Sequence, residues 1–298
     1  MSQQIWSGVL PAVTTPFLED GNVDHEFLAR HSQWLVEKGC RGIVALGSLG
    51  EGATLEKEEK MAVLATLVAA VGDRVPVIAG VAALSTAQAV AIAQGAEKVG
   101  CRGLMVLPPY VHKGPFEEMR AHFEAVFAAT GLSCMLYNNP IAYGTDVTPP
   151  EVARLAARHQ NLHAIKESSG DVRRLTAVRA LLGDRLRLFA GLDDMILEAL
   201  RMGADGWIAG LVNALPEESV RLVELGKAGR FEEAFELYRW FLPLLRLDCV
   251  PEFVQLIKLA QQEVGMGNER VRLPRQVLSG PAREEALSTI RAALAARP

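Results

Sequence analysis

The chain has 298 residues, half of them hydrophobic and 22% charged, and its 31 Lys and Arg against 35 Asp and Glu leave a formal net charge of −4. That balance suits a globular chain with a large core, and no Lys/Arg block is long enough to track a phosphate backbone, so nucleic acid is not an expected partner. The N-terminal MSQQIWSGVL lacks a basic start followed by an apolar signal core, and runs such as Met61–Val71 are too short to span a bilayer, so no membrane is expected.

In chain order, short apolar runs alternate with amphipathic helical ones. VLPAVTTPF (9–17) is the first strand candidate, followed by a helix at 24–39. GIVALG (42–47) precedes a helix at 56–72, VPVIAGV (75–81) one at 86–100, and GLMVLP (103–108) one at 115–130. SCMLYNN (133–139) leads to a helix at 149–158, LHAIKES (162–168) to one at 171–182, LRLFAG (186–191) to one at 193–202, and GWIAG (206–210) to one at 217–228. The strands are continuous apolar runs rather than alternating ones, which predicts burial on both faces in a parallel sheet. Eight such units predict an α/β fold, a closed (β/α)8 TIM barrel over residues 1–222, with an open doubly wound sheet as the alternative. From residue 223 three helical segments follow without a strand between them, predicting a C-terminal three-helix appendage over 223–298. Its Trp240, Phe241, Leu244 and Leu245 would pack on the barrel or on another subunit.

In a barrel the side chains that act on ligands come from the C-terminal ends of strands and the loops that follow. Lys166 sits where the sixth strand should continue its apolar run, in HAIKESSG. Desolvation favours a free amine over an ammonium, and a free amine can attack a carbonyl or imine carbon to form a Schiff base. The alternative is a lysine paired with an acid such as Glu167. Tyr137 ends the fifth strand, either as a core aromatic or as a phenol that shuttles protons. GSLGEGAT (47–54) after the second strand is either a glycine-rich turn or a cradle in which Ser48 and nearby N–H groups hold a carboxylate or phosphate; it is neither a Walker A loop nor GxGxxG. Asn138-Asn139-Pro140 reads as turn chemistry, and Asp193-Asp194 as a helix N-cap in preference to a metal pair. His112, His159 and His163 form no metal-ligand spacing. Cys40, Cys101, Cys134 and Cys249 are scattered without a CxxC pair and read as small buried side chains of a reducing, cytoplasmic compartment.

Taken together, GSLGE (47–51), YNNP (137–140) and IKESSGD (165–171) at these separations resemble the dihydrodipicolinate synthase / N-acetylneuraminate lyase family over nearly the whole chain. The resemblance implies a class I Schiff-base lyase acting on small 2-oxo acids without metal or cofactor. It implies that Lys166 forms the imine, that Tyr137 relays protons, and that Ser48 with the N–H groups of Leu49 and Gly50 holds the substrate carboxylate. Gly191 and Ile208 match positions lining the family's pocket. It also implies a homotetramer built as a dimer of dimers.

The departures from the family pattern bear on substrate. Where the synthases carry a Thr-Thr pair this chain has Ser48-Leu49; where they place a tyrosine reaching the neighbouring subunit it has Val111; and where they place an arginine for the second substrate's carboxylate it has Ala142. Each loss removes a polar group that condensation with a charged aldehyde would need, which argues against 4-hydroxy-tetrahydrodipicolinate synthase. No run of polyol-binding residues in GLVNALPEE supports a sialic acid lyase. YNNPIAYGTDVTP (137–149) and EFVQLIKLAQQEVGMGNERVRLP (252–274) resemble the Δ1-pyrroline-4-hydroxy-2-carboxylate deaminases of hydroxyproline catabolism, whose substrate is a cyclic 2-imino acid. An apolar wall of Leu49, Val111 and Ala142 would suit that small ring. The 2-keto-3-deoxy sugar-acid dehydratases and aldolases are the alternative branch.

Overall fold

Eight parallel strands form the sheet: β1 (Gly8–Pro11), β2 (Ile43–Ala45), β3 (Val77–Val81), β4 (Gly103–Val106), β5 (Ser133–Asn138), β6 (Leu162–Glu167), β7 (Arg187–Ala190) and β8 (Gly206–Ala209). They bond in the order β1-β8-β7-β6-β5-β4-β3-β2, and an isolated parallel bridge between Ala12 and Val44 joins the two ends, giving a (β/α)8 barrel. This arrangement comes from a computed structural model that describes residues 5–298; the first four residues of the stretch read for a targeting signal lie outside it. No helix among the described residues is long and apolar enough to cross a membrane.

The outer helices are α1 (His25–Glu37), α2 (Lys57–Val71), α3 (Thr86–Val99), α4 (Phe116–Ala128), a short α5 (Pro140–Tyr143), α6 (Pro149–Arg158), α7 (Arg173–Leu182), α8 (Ile196–Arg201) and α9 (Pro216–Lys227). Then come α10 (Phe231–Leu245), α11 (Phe253–Glu263) and α12 (Gly280–Ala295). Local chemistry sets several boundaries. The Asp24 carboxylate accepts the Phe27 N–H at 2.9 Å to start α1, and Thr148 with Glu151 forms a reciprocal capping box at α6. Gly100 ends α3 in the left-handed region (φ 101°), where a Cβ would be strained.

Because strand side chains alternate, each buried strand feeds two cores. Leu10, Val44, Ile78, Met105, Met135, Ala164, Phe189 and Ile208 fill the barrel interior. Val9, Ile43, Val77, Leu104, Leu136, Ile165, Leu188 and Trp207 pack outward under the helices.

Two expectations need correction, and a third is narrowed to one of its alternatives. The first strand ends at Pro11 rather than residue 17, because beyond Ala12 the chain leaves the ladder and Phe17 makes only an isolated bridge with Val23. The boundary expected at 222/223 falls inside α9, the barrel's eighth main helix, and the appendage helices begin at Phe231. Of the two packings expected for the appendage side chains, the chain shows the one on the barrel: Phe241, Leu244 and Leu245 are buried in the outer core as α10 packs on α8 and α9, and Trp240 Nε1 donates to the Ala293 carbonyl of α12 at 2.9 Å.

The appendage is also tied to the barrel by a buried ion pair. Lys258 Nζ on α11 donates to Glu51 Oε1 at 2.6 Å and to the Arg270 carbonyl at 2.6 Å, with side-chain exposures of 2% for the lysine and 0% for the glutamate. Glu51 Oε2 accepts the Arg272 N–H at 3.0 Å, so both carboxylate oxygens are satisfied. Removing one member of such a pair strands a buried charge, at a cost of about 3–5 kcal/mol, whereas replacing both with apolar groups costs far less. Lys258→Met should lower stability in urea unfolding by about that amount, with the added Glu51→Met recovering most of it. An additive double mutant would show that the pair is not coupled.

His31 supplies a pH dependence. It is buried between Phe27 and Trp34, and its Nε2 donates to the Asn213 carbonyl at 2.9 Å. Burial pushes its imidazole down from 6.5 to about 4, the Asn213 hydrogen bond opposing. Between those values the unfolded chain takes up a proton at this site and the folded chain does not, so stability falls as pH drops through that window. His31→Gln should flatten the stability slope between pH 6.5 and 4 in thermal or urea unfolding; an unchanged slope would assign the acid sensitivity to other groups.

Candidate active site

The register of three neighbouring strands places Tyr137 beside Lys166 and Lys166 beside Phe189. On β6 Ala164 and Phe189's neighbour Lys166 share the interior face, while Ile165 belongs to the outer core. Lys166 is only 6% exposed, and its Nζ lies 4.2 Å from the centroid of the Tyr137 ring. Glu167 points away from it. That carboxylate accepts Asn138 Nδ2 at 3.1 Å and the Ser169 N–H at 2.6 Å, so it is not the lysine's partner. Burial pushes the Glu167 carboxyl up, against these hydrogen bonds.

Gly191, just past β7, gives the lysine its room. A Cβ there would lie 2.9 Å from Lys166 Cε and 1.9 Å from Ser168 Oγ, and the Gly191 N–H donates to the Glu167 carbonyl at 3.0 Å. Ser168 is itself a buried hydroxyl without a hydrogen-bond partner, and shares the space over Gly191 with the lysine's carbon chain. Ile208 is 1% exposed and belongs to the interior cluster with Tyr137 and Phe189.

The turn after β2 brings Ser48 to the same end of the barrel. Leu46 (φ 64°) and Glu51 (φ 52°) both take left-handed backbone, unusual for residues with a Cβ. Gly50 is needed because a Cβ would sit 2.9 Å from the Val13 carbonyl. The Leu49 side chain is buried in the outer core, so what it can offer a ligand is its backbone N–H. The Ser48 hydroxyl bonds the Tyr143 hydroxyl, and the Tyr143 ring meets Tyr137 edge-on with centroids 5.8 Å apart. Tyr110 packs on the other side of Tyr143, also at 5.8 Å. Asn139 does two jobs: its Oδ1 accepts the Ala142 N–H at 3.0 Å to cap α5, and its Nδ2 donates to the Tyr137 hydroxyl at 3.0 Å. Burial pushes the Tyr143 hydroxyl well up, reinforced by Tyr137 and Tyr110 and opposed by Ser48.

The apolar wall expected from Leu49, Val111 and Ala142 does not form within the chain. Leu49 is directed into the outer core, Val111 is 87% exposed on a left-handed loop residue, and Ala142 is exposed on α5.

A pair of acids lies on the β7–β8 side instead. Asp193 is fully buried, and it neither caps the following helix nor joins a metal set. Its carboxylate accepts Trp207 Nε1 at 3.0 Å and the N–H groups of Gly210 (3.1 Å) and Leu211 (2.9 Å). Asp248, from the turn between α10 and α11, is partly exposed as a residue, yet its Oδ1 is buried with no hydrogen-bond partner. Burial pushes Asp193 up to about 7 against its N–H donors and the Lys166 charge. Burial also pushes Asp248 well above the carboxylate range, with Asp193 adding to the rise and Lys166 opposing it. Asp193 has three donors stabilising its anion and Asp248 Oδ1 has none, so of the two it is Asp248 whose protonated form burial favours more.

The expected residues Lys166, Tyr137, Ser48, Gly191 and Ile208 therefore meet at one end of the barrel, with the Leu49 and Gly50 backbone in the Ser48 turn. Tyr143, Tyr110, Ser168, Asp193 and Asp248 are additions that sequence reasoning missed or assigned differently. Tyr143 lies six residues past Tyr137 in the loop already singled out, and that proximity was the available signal. The histidines lie elsewhere: His112 bonds Glu118 at 2.6 Å on the surface, and His163 bonds Ser133 at 2.7 Å. Among the described residues no group of three or more His, Cys, Asp or Glu could hold a metal ion. All four cysteines are free thiols; Cys40, Cys101 and Cys134 are buried and Cys249 is partly so, donating to Asp194 Oδ1 at 3.1 Å.

Comparison with known proteins agrees with this geometry. A 4-hydroxy-tetrahydrodipicolinate synthase of Citrifermentans bemidjiense is 35% identical over 270 residues, covering 91% of this chain and 92% of its own. Among solved structures, YagE, a prophage protein of the dihydrodipicolinic acid synthase family from E. coli K12 in complex with pyruvate, superposes with a TM-score of 0.92 at 28% identity, covering 97% of this chain and 99% of its own. A protein described as the first monomeric dihydrodipicolinate synthase variant superposes with a TM-score of 0.92 at 28% identity, covering 99% and 98%. The Dihydrodipicolinate synthetase family matches residues 5–295. With a buried lysine facing a tyrosine at the mouth of a (β/α)8 barrel, the chain belongs to that family and is a class I Schiff-base lyase.

Proposed function

We propose that this enzyme is a Schiff-base deaminase that converts Δ1-pyrroline-4-hydroxy-2-carboxylate and water to 2,5-dioxopentanoate and ammonia. The observation that carries this reading is the residue at the position where the synthases place an arginine for the second substrate's carboxylate. Ala142 stands exposed there, on α5. A small ring with one carboxylate needs no second cation; condensation with a second carboxylate-bearing substrate does.

In this mechanism Ser48 and the Leu49 and Gly50 N–H groups hold the carboxylate while Lys166 Nζ attacks C2. The ring C–N bond breaks, leaving a Lys166 imine and a free amine on C5. Loss of a C3 proton gives the enamine, whose electrons expel the C4 hydroxyl. Tautomerisation moves unsaturation to C5, and two hydrolyses then release ammonia and the lysine. One water is lost and two are consumed, so one is used overall. Tyr137 lies against the amine and shares a side-chain hydrogen bond with Tyr143, whose hydroxyl bonds Ser48, a route for protons to and from the imine nitrogen.

The names of the curated relatives favour a second reading, 4-hydroxy-tetrahydrodipicolinate synthase, at 33–35% identity. A direct assay separates the two: ammonia and 2,5-dioxopentanoate from the pyrroline, against condensation of pyruvate with aspartate semialdehyde. Turnover of the second pair alone would overturn the deaminase reading. Turnover of a 2-keto-3-deoxy sugar acid alone would move the enzyme to that branch.

Borohydride with substrate should leave a covalent adduct on Lys166, seen by mass spectrometry, and Lys166→Ala should abolish turnover with the thermal transition retained. Full activity in that variant would refute the imine. Tyr137→Phe should keep adduct formation and lose about 100-fold or more in kcat. A loss confined to KM would make the tyrosine a binding group only.

A further inference from the structure

The turn that carries Asp248 belongs to the C-terminal segment, yet it reaches the end of the barrel where the lysine stands. A Cβ on Gly210, just beyond β8, would lie 1.9 Å from Asp248 Oδ1, while one on Gly191, just beyond β7, would lie 2.9 Å from Lys166 Cε. The carboxyl and the lysine thus rest on glycines of adjacent strands, and adjacent strands run about 5 Å apart. Lys166 is the cation acting on both Asp248 and Asp193. Asp193 is held by three N–H donors, whereas Asp248 Oδ1 is buried and bonds nothing. A buried carboxyl oxygen without a partner is costly unless a ligand supplies one.

We propose that Asp248 is a catalytic acid of this site, which engages the substrate's C4 hydroxyl and donates the proton with which that hydroxyl leaves as water. The role rests on the Schiff-base elimination proposed above. In the step, the enamine nitrogen's lone pair forms the C2=N bond, the C2=C3 pair becomes C3=C4, and the C4–O bond breaks as the Asp248 proton moves to oxygen. The products are water, a conjugated Lys166 iminium and an Asp248 carboxylate. The new negative charge lies near the new positive one, and solvent restores the proton as product leaves. The same arrangement makes the enzyme selective for 2-oxo or 2-imino acids bearing a protic leaving group at C4.

The test compares two leaving groups in the same ring: the pyrroline bearing a 4-hydroxyl, and its 4-chloro analogue, since chloride departs without a proton. Asp248→Asn should form the borohydride-trapped Lys166 adduct as the unsubstituted enzyme does, lose about 100-fold or more in elimination of the hydroxyl, and retain enzyme-dependent chloride release. Gly210→Ala is a second variant that keeps the carboxyl but displaces it; Gly210 has φ −91°, which alanine adopts readily, so the fold should survive and the same selective loss should appear. Equal loss of both leaving groups would reduce Asp248 to a structural part, and unimpaired hydroxyl elimination in D248N would remove it from the chemistry. No Lys166 adduct in the unsubstituted enzyme would instead overturn the Schiff-base elimination itself.

Discussion

The lateral register of β5, β6 and β7 is the constraint from which the site follows. Closing eight parallel strands leaves each strand little freedom to slide, because a slip of one residue turns its interior side chains outward. Tyr137, Lys166 and Phe189 are held at one level by this ladder, and the lysine runs through the space above Gly191 to place its amine over the face of the Tyr137 ring. The same alternation sends Glu167 away from the amine into its own bonds with Asn138 and Ser169. A neighbouring acid in sequence is thereby denied to the nucleophile, and the acids that do act on it come from other strands and loops.

The C-terminal helices contribute to the barrel mouth as well as covering its flank. The buried Lys258–Glu51 pair fixes the end of the turn that presents Ser48, and Arg272 reinforces that turn through Glu51 and through Glu59 on α2. Asp248 arrives from the same region of chain but at the β8 end. The two connections explain why the appendage and the pocket are best regarded as one cooperative unit: loosening α11 would disturb the carboxylate cradle, and moving the turn before it would disturb the acid pair.

Polarity divides the mouth. One side carries the Ser48, Tyr143 and Tyr110 hydroxyls; the other carries the Asp193–Asp248 pair, with Asp193 held by three N–H donors and Asp248 Oδ1 unbonded. Lys166 lies against the Tyr137 ring, and its charge acts on the Asp193–Asp248 pair.

Much of this was legible in the sequence because it depends on short-range pattern. Continuous apolar runs alternating with amphipathic ones specify strands buried on both faces and helices outside them, and a lysine interrupting such a run stands out. The motifs GSLGE, YNNP and IKESSGD identified Ser48, Tyr137 and Lys166 for the same reason, each being contiguous. Asp193-Asp194 was visible too, but as a helix cap; only the fold shows Asp193 spanning to the loop after β8. Val111 and Ala142 stand out in the sequence as departures from the family pattern, yet their exposure depends on loop conformation that no periodicity encodes. Sequence by itself determined the barrel and set a lysine on its interior face, since side-chain alternation along a strand is a local property. Tertiary structure alone decided what surrounds that lysine, because Gly191, Asp193, Tyr143 and Asp248 reach its end of the barrel through ring closure and tail packing, and such contacts leave no spacing in the chain.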